Sequence, residues 1–152
     1  MICFTRIDNR LIHGQVVQSW LPKIKADKVL VISEQSAKNT LMTRMMRMAL
    51  PQGYALQVCP AKEASDSLKT EEDKKIFLLI EDLDQLLELT KQGFCPQRVN
   101  IGNTKYEEDK KEFSAGVYFN NKDFATIKEL KNKGITFIIQ ALPSSLEVKL
   151  DV

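Results

Sequence analysis

In Ile76-Phe77-Leu78-Leu79-Ile80-Glu81-Asp82-Leu83-Asp84-Gln85-Leu86-Leu87-Glu88-Leu89-Thr90-Lys91-Gln92-Gly93 an apolar run passes directly into a helical pattern. Consecutive apolar residues suit a strand buried on both faces, as in parallel sheets. Asp82 is placed to cap a helix, Leu83, Leu86, Leu87 and Leu89 supply its apolar stripe, and Gly93 suits the position just past its end. The same alternation extends in both directions. Ile2–Ile7, Val29–Ile32, Tyr54–Val58, Val99–Ile101, Val117–Phe119 and Ile135–Ile139 read as further strands. Between them, Val16, Val17, Trp20 and Leu21 fall at helical spacing before Pro22. Leu41, Met42, Met45, Met46 and Ala49 do so before Pro51 and Gly53, and another helix begins near Pro60. A last one runs from Asn120-Asn121 through Phe124, Ile127 and Leu130 to Gly134. The alternation predicts an α/β domain with a mainly parallel central sheet of about six or seven strands and helices on both faces.

The chain of 152 residues suits a single domain spanning residues 1–152, with 43% apolar and 28% charged residues arguing against disorder. Twenty-two Lys+Arg against twenty Asp+Glu leave a formal charge of +2, too even to imply a nucleic-acid partner. No apolar run approaches the roughly 18 residues of a transmembrane helix. Arg6, Asp8 and Arg10 interrupt any signal peptide. Cys3, Cys59 and Cys95 are odd in number and lack a C-x-x-C arrangement, which points to neither a disulfide framework nor zinc and suits a reducing, cytosolic setting. Each cysteine is expected to be a small buried hydrophobe. The mixed-sign clusters Glu71–Lys75 and Glu107–Glu112 read as solvated loops or helix ends. The Met42–Met48 segment has the periodicity of core filling, with a ligand groove as the competing reading.

Chemistry concentrates in Arg6-Ile7-Asp8-Asn9-Arg10-Leu11-Ile12-His13-Gly14-Gln15, at the first strand-to-helix turn. Open α/β sheets place ligands at such turns. The only histidine of the chain lies here with two arginines and a glycine. Helix-start N–H groups and two guanidinium groups can hold phosphate oxygens, and Gly14 lets backbone approach an anion. These parts fit a histidine that carries a phosphoryl group. No nucleotide fingerprint, nucleophile-elbow motif or zinc-ligand cluster accompanies them.

The motif Arg6-Ile-Asp-Asn-Arg-Leu-Ile-His13-Gly-Gln-Val, with Trp20 seven residues on, resembles the active-site signature of the IIB components of the mannose/fructose/sorbose class of bacterial phosphoenolpyruvate-dependent sugar phosphotransferase systems. Ala49-Leu50-Pro51, Asn100-Ile101-Gly102, the Asp123–Gly134 helix and Pro143 follow in the family's order. The resemblance implies a three-layer α/β/α domain and no cofactor. It implies that His13 is phosphorylated, on Nδ1, with Arg10 steadying the phosphohistidine and Arg6 the other basic residue of the loop. Asp8 would hold the loop or orient an arginine, and Gly14 and Gln15 would supply the phosphate-loop backbone. The implied donor is the phosphohistidine of a IIA protein. The implied acceptor is a sugar held by membrane IIC and IID components, with the chain cytoplasmic and docked on that transporter.

Three departures stand out: Asn9 where many members have an acid, Ser33-Glu34 in place of an Asp-rich pair, and Asn103 where a second glycine is frequent. For Ser33-Glu34 the plain reading is loop variation with Ser36 as a helix cap. Asn100-Ile101-Gly102-Asn103 hints at the amino-sugar branch, among mannose, fructose, sorbose and N-acetylated hexosamines. The competing function is a non-catalytic α/β module binding a phosphorylated metabolite at Arg6, Arg10 and His13. A small nucleotide-dependent transferase is the third.

Overall fold

In the computed structural model, which describes all of residues 1–152, strand β1 (Ile2–Asp8) leads through a loop into one π-helical turn, Val16–Trp20, that continues as α1 (Leu21–Ile24). β2 (Lys28–Ile32), α2 (Glu34–Ala37), α3 (Thr40–Ala49) and β3 (Ala55–Cys59) follow. A 3-10 turn at Ala61–Glu63 enters α4 (Ala64–Thr70), followed by β4 (Ile76–Ile80), α5 (Leu83–Lys91) and β5 (Arg98–Asn103). A hairpin of β6 (Lys111–Ser114) and β7 (Val117–Phe119) precedes α6 (Asn121–Asn132), β8 (Thr136–Ile139) and β9 (Val148–Lys149).

Seven strands form one sheet in the order β3-β2-β4-β1-β5-β8-β9. Every pairing in it is parallel except β8 with β9. The mainly parallel sheet agrees with the sequence, but its membership differs at one end. Val117–Phe119 pairs with Lys111–Ser114 in a separate antiparallel hairpin, and the exposed pair Val148–Lys149 supplies the seventh strand. A three-residue apolar run carries no information about which partner it will find.

The central strands divide their side chains between two cores. Leu30 and Ile32 of β2, and Ile76, Leu78 and Ile80 of β4, join the larger core with α4, α5 and α6. Val29, Val31, Phe77 and Leu79 join the smaller one with Val16, Leu21, Met46 and Leu50. The unbroken apolar runs therefore reflect burial on both faces, which gives three layers. Helix ends follow the expected chemistry. Asp82 accepts from Gln85 N–H at 2.9 Å, Asn120 forms a capping box with Asp123, and Gly93 and Gly134 adopt positive φ.

Several local expectations change. Pro22 does not stop the helix but lies inside it, directly after the π turn. Ser33, rather than Ser36, caps α2: its Oγ accepts from Ser36 N–H at 3.0 Å and donates to Glu81 at 2.6 Å. On α3, only Met46 among the methionines is buried, because the helix leans on the smaller core through Met46 and Leu50 and turns its other faces outward. Cys59 is buried, its thiol pushed up to about 11 by burial, but Cys3 and Cys95 are exposed. A register shift between Ile2 and Phe4 interrupts the pairing beside Cys3, and Cys95 lies in the loop after α5. The charged clusters are mostly exposed, as expected, but each has an anchored member. Glu71 pairs at 2.8 Å with the buried Lys28, Lys110 bridges Glu107 and Asp123, and Lys111–Ser114 is strand.

β1 runs through the middle of this sheet, between β4 and β5. Its C-terminal end opens at the edge where chain connections part to either side, the usual ligand position in such folds.

Candidate active site

Strand alternation sends Ile7 to the larger core and Arg6 and Asp8 to the opposite face, where both polar side chains are fully buried. The chain then folds back over the end of β1. Leu11 takes a left-handed conformation, φ 59°, and its N–H bonds the Asp8 carbonyl at 3.0 Å. That geometry is costly for a branched side chain and persists here because Leu11 and Ile12 are buried in the smaller core. Asn9 and Asn103 tie the loop to β5 through Asn9 N–H to the Asn103 carbonyl at 3.2 Å and Asn103 Nδ2 to Asn9 Oδ1 at 2.6 Å. Two of the family departures thus form one bonded pair.

The fold-back brings His13 Nε2 to 3.2 Å from Asp8 Oδ2, with the ring side chain 18% exposed. The His13 carbonyl accepts from Val17 N–H and opens the following helix. Asp8 is the hub. Its Oδ1 accepts from the Arg10 backbone N–H at 3.1 Å and Nε at 2.9 Å, and its Oδ2 from Arg10 Nη2 at 2.9 Å and Arg6 Nη2 at 3.4 Å. Burial alone would push the Asp8 carboxyl up. Hydrogen bonds from His13 and Arg10, with the Arg6 charge behind them, outweigh it and hold the group at about 2. An ionised carboxylate only accepts, so the hydrogen of this contact sits on His13 Nε2; in the neutral ring Nδ1 then holds the lone pair, and Nδ1 has no protein partner.

Arg6, the other basic residue of the loop, is fully buried. Its guanidinium donates to Asn100 Oδ1, to the Gln140 carbonyl at 2.9 Å and to the Ala141 carbonyl at 3.1 Å, and lies 4.5 Å from the Trp20 ring centroid. Its side chain has no exposed surface. Burial lowers its pKa to about 10, still well above neutrality. This removes one of the two arginines that the metabolite-binding reading required. The π turn matters here because it sets Trp20 over Arg6, and Trp20 Nε1 donates to the same Ala141 carbonyl at 3.1 Å.

Arg10 remains as the accessible cation, 37% exposed at the side chain. Gly14 and Gln15 are exposed at the start of the helix, and Gln15 Oε1 accepts from Arg10 Nη2 at 3.4 Å. A Cβ on Gly14 would meet nothing within 4 Å, so space above this backbone is open. Sequence reasoning named Trp20, Asn100 and Gly102 without giving them a supporting role, and passed over Gln140. The available signal was polar residues set inside apolar runs, Val99-Asn100-Ile101 and Ile138-Ile139-Gln140. Beside the loop, a cavity of about 650 Å³ runs from Arg10, Leu11 and Ile12 to Met42, Met45 and Met46 of α3.

The family model described as the sorbose-subfamily IIB component of the phosphotransferase system matches residues 2–151. The chain is 31% identical over 150 residues to N-acetylgalactosamine-specific phosphotransferase enzyme IIB component 2 of Escherichia coli K12, covering 98% of this chain and 96% of that one. Among solved structures, the N-acetylgalactosamine-specific IIB component 1 of Escherichia coli superposes with a TM-score of 0.92 at 27% identity, over 99% and 100% of the two chains. The IIB domain of the sorbose permease of Klebsiella pneumoniae also gives 0.92, at 25% identity over 97% and 92%.

Proposed function

The chain belongs to the sorbose subfamily of phosphotransferase-system IIB components, and we propose that it carries its phosphoryl group on Nδ1 of His13. IIB components are sugar phosphotransferases working with a IIA protein and membrane IIC and IID components. In the proposed cycle the Nδ1 lone pair attacks the phosphorus of the IIA phosphohistidine. The donor N–P bond breaks and its electron pair returns to the donor imidazole. Positive charge arising on the His13 ring is shared through Nε2–H with Asp8. In the second half a sugar hydroxyl attacks phospho-His13, the Nδ1–P bond breaks, and the hydroxyl proton passes to a base in the membrane components.

The single observation supporting this reading is the 3.2 Å contact from His13 Nε2 to Asp8 Oδ2, which leaves Nδ1 as the ring nitrogen without a protein partner. Arg10 supplies the charge compensation that equatorial phosphoryl oxygens need. It can turn its half-exposed fork from Asp8 toward a phosphoryl group. Asp8 acts as the positioning group, with Gly14 and Gln15 as the open backbone beside the phosphoryl. Residues 1–152 act as one IIB domain in this scheme. No helix is long and apolar enough to cross a membrane, and the working location proposed is the cytoplasmic face of the transporter. The sugar proposed is an N-acetylated hexosamine, supported by the N-acetylgalactosamine names of relatives at 31% and 30% identity and by the Asn100–Asn103 segment.

The test is incubation with labelled phosphoenolpyruvate, the general phosphotransfer proteins and a IIA protein. An acid-labile, base-stable label mapping to His13, absent from His13→Gln, is expected. Labelling elsewhere, or none, overturns the assignment. Sugar-by-sugar transport in a strain lacking the chain tests the hexosamine.

A further inference from the structure

Two hydrogen bonds tie the reactive loop to a distant part of the chain. From Asn9 to His13, every other hydrogen bond ends on Asp8, Gln15 or Val17, at the borders of the loop. The two exceptions both join Asn9 to Asn103 at the end of β5, one through the backbone and one between the carboxamides. Asn103 reaches the loop because β5 is irregular there. Ile7 pairs with Ile101 but Asp8 pairs with Asn103, so Gly102 is an extra residue that turns Asn103 toward Asn9. Bulges of this kind re-aim side chains beside reactive groups. Behind it, Asn103 is pressed against Gly116 in the hairpin turn, at φ +76°, where a Cβ would fall 2.6 Å from Asn103 Oδ1. The carboxamide is thus backed by the hairpin on one side and bonded to the loop on the other.

We infer that Asn9 and Asn103 are a positioning pair for phosphoryl transfer, setting where the loop holds the His13 ring over the end of β1. This rests on the phosphocarrier reading of His13 and adds two residues that act on the ring through the loop backbone. Leu11 and Ile12 also anchor the loop, by packing into the smaller core, but apolar contact is non-directional. Leu11 moreover sits in a left-handed conformation, φ 59°, that persists only while its surroundings hold it. The directed bonds to Asn103 supply the missing constraint. In-line attack by Nδ1 needs it, because a misplacement of about 1 Å costs on the order of 10²-fold in rate. Both side chains are uncharged amides, so the tie leaves the Asp8 carboxylate as the only anionic partner of Arg10 and His13 in the loop.

The experiment is rapid-quench transfer from phosphorylated IIA to the full chain at a series of donor concentrations. It compares the unsubstituted chain with Asn9→Ala, Asn103→Ala and the double variant, and Asn103→Gly serves as a second way of removing the donor. Circular dichroism checks that each variant folds, and ¹H–¹⁵N spectra follow exchange of the His13 Nε2 proton with water. Each single variant is expected to lower the rate at saturation about tenfold, with the KM for phospho-IIA within twofold, and to speed Nε2 proton exchange. The double variant is expected to match the singles, since either change alone removes the bond between the carboxamides. Unchanged rates in the folded variants overturn the inference while leaving His13 labelling intact. A raised KM at an unchanged saturating rate also overturns it, and makes the pair a donor contact. So do additive losses in the double variant, or slower transfer without faster proton exchange, because the two residues then act separately or not through the ring. Failure of the unsubstituted chain to label removes the phosphocarrier reading and the positioning pair with it.

Discussion

Gly102 of β5 lies flat against the guanidinium of Arg6: a Cβ built on Gly102 would fall 1.8 Å from Nη2 and 2.1 Å from Cζ. Arg6 has nowhere to retreat, because Asn100, Gln140, Ala141, Asp8 and the Trp20 ring surround it. The absence of one methyl group on β5 therefore lets a buried cation stand behind Asp8, and through Asp8 behind the His13 ring.

Gly102→Ala is expected to destabilise the protein by roughly 3 kcal/mol or more, since it must displace a fully buried, multiply bonded arginine. Urea denaturation measures this, and a loss under about 1 kcal/mol would show that Arg6 can shift cheaply.

Asp8→Asn replaces a carboxylate that only accepts with an amide that also donates, so the Nε2–H tautomer of His13 loses its anchor. Phosphoryl uptake is expected to fall by about 10²-fold. The ¹⁵N shifts of the ring should move toward a mixed tautomer. A slower reaction with unchanged ring shifts would mean that Asp8 acts only through Arg10.

Arg10→Ala is expected to slow transfer by on the order of 10²-fold, as lost transition-state charge stabilisation does. Arg10→Lys should recover part of the rate, because an ammonium keeps the charge and loses the planar fork. Wild-type rates in Arg10→Ala would remove the arginine from the mechanism.

Acid stability should carry the mark of Asp8. Its carboxyl sits at about 2 against an ordinary 3.8, so the native state favours the ionised form. The resulting stabilisation is complete above about pH 4 and is lost as pH falls toward 2. It amounts to about 2 kcal/mol for a group this buried. Stability measured across that window should fall more steeply for the unsubstituted protein than for Asp8→Asn; parallel curves would contradict the depressed carboxyl.

Much of this protein is written locally. Consecutive apolar residues at Ile76–Ile80 announce burial on two faces, Asp82 and Asn120 announce helix starts, and the motif from Arg6 to Gln15 marks the candidate site. Periodicity and capping are short-range physics, legible in a window of a few residues. The fate of each polar side chain is not. Arg6 and Arg10 look equivalent in the chain, yet one is entombed and the other half-open. The difference arises where β5, β8 and the π turn converge on β1 from residues about 15 to 135 positions away. Likewise, helical spacing cannot tell that only Met46 on α3 faces a core, because that depends on which neighbouring surface the helix meets. The sequence by itself determined strands, caps and the reactive loop through local preference. Only tertiary packing decided which charges are buried, which nitrogen of His13 is free and which apolar face remains exposed, because those outcomes depend on contacts between distant segments.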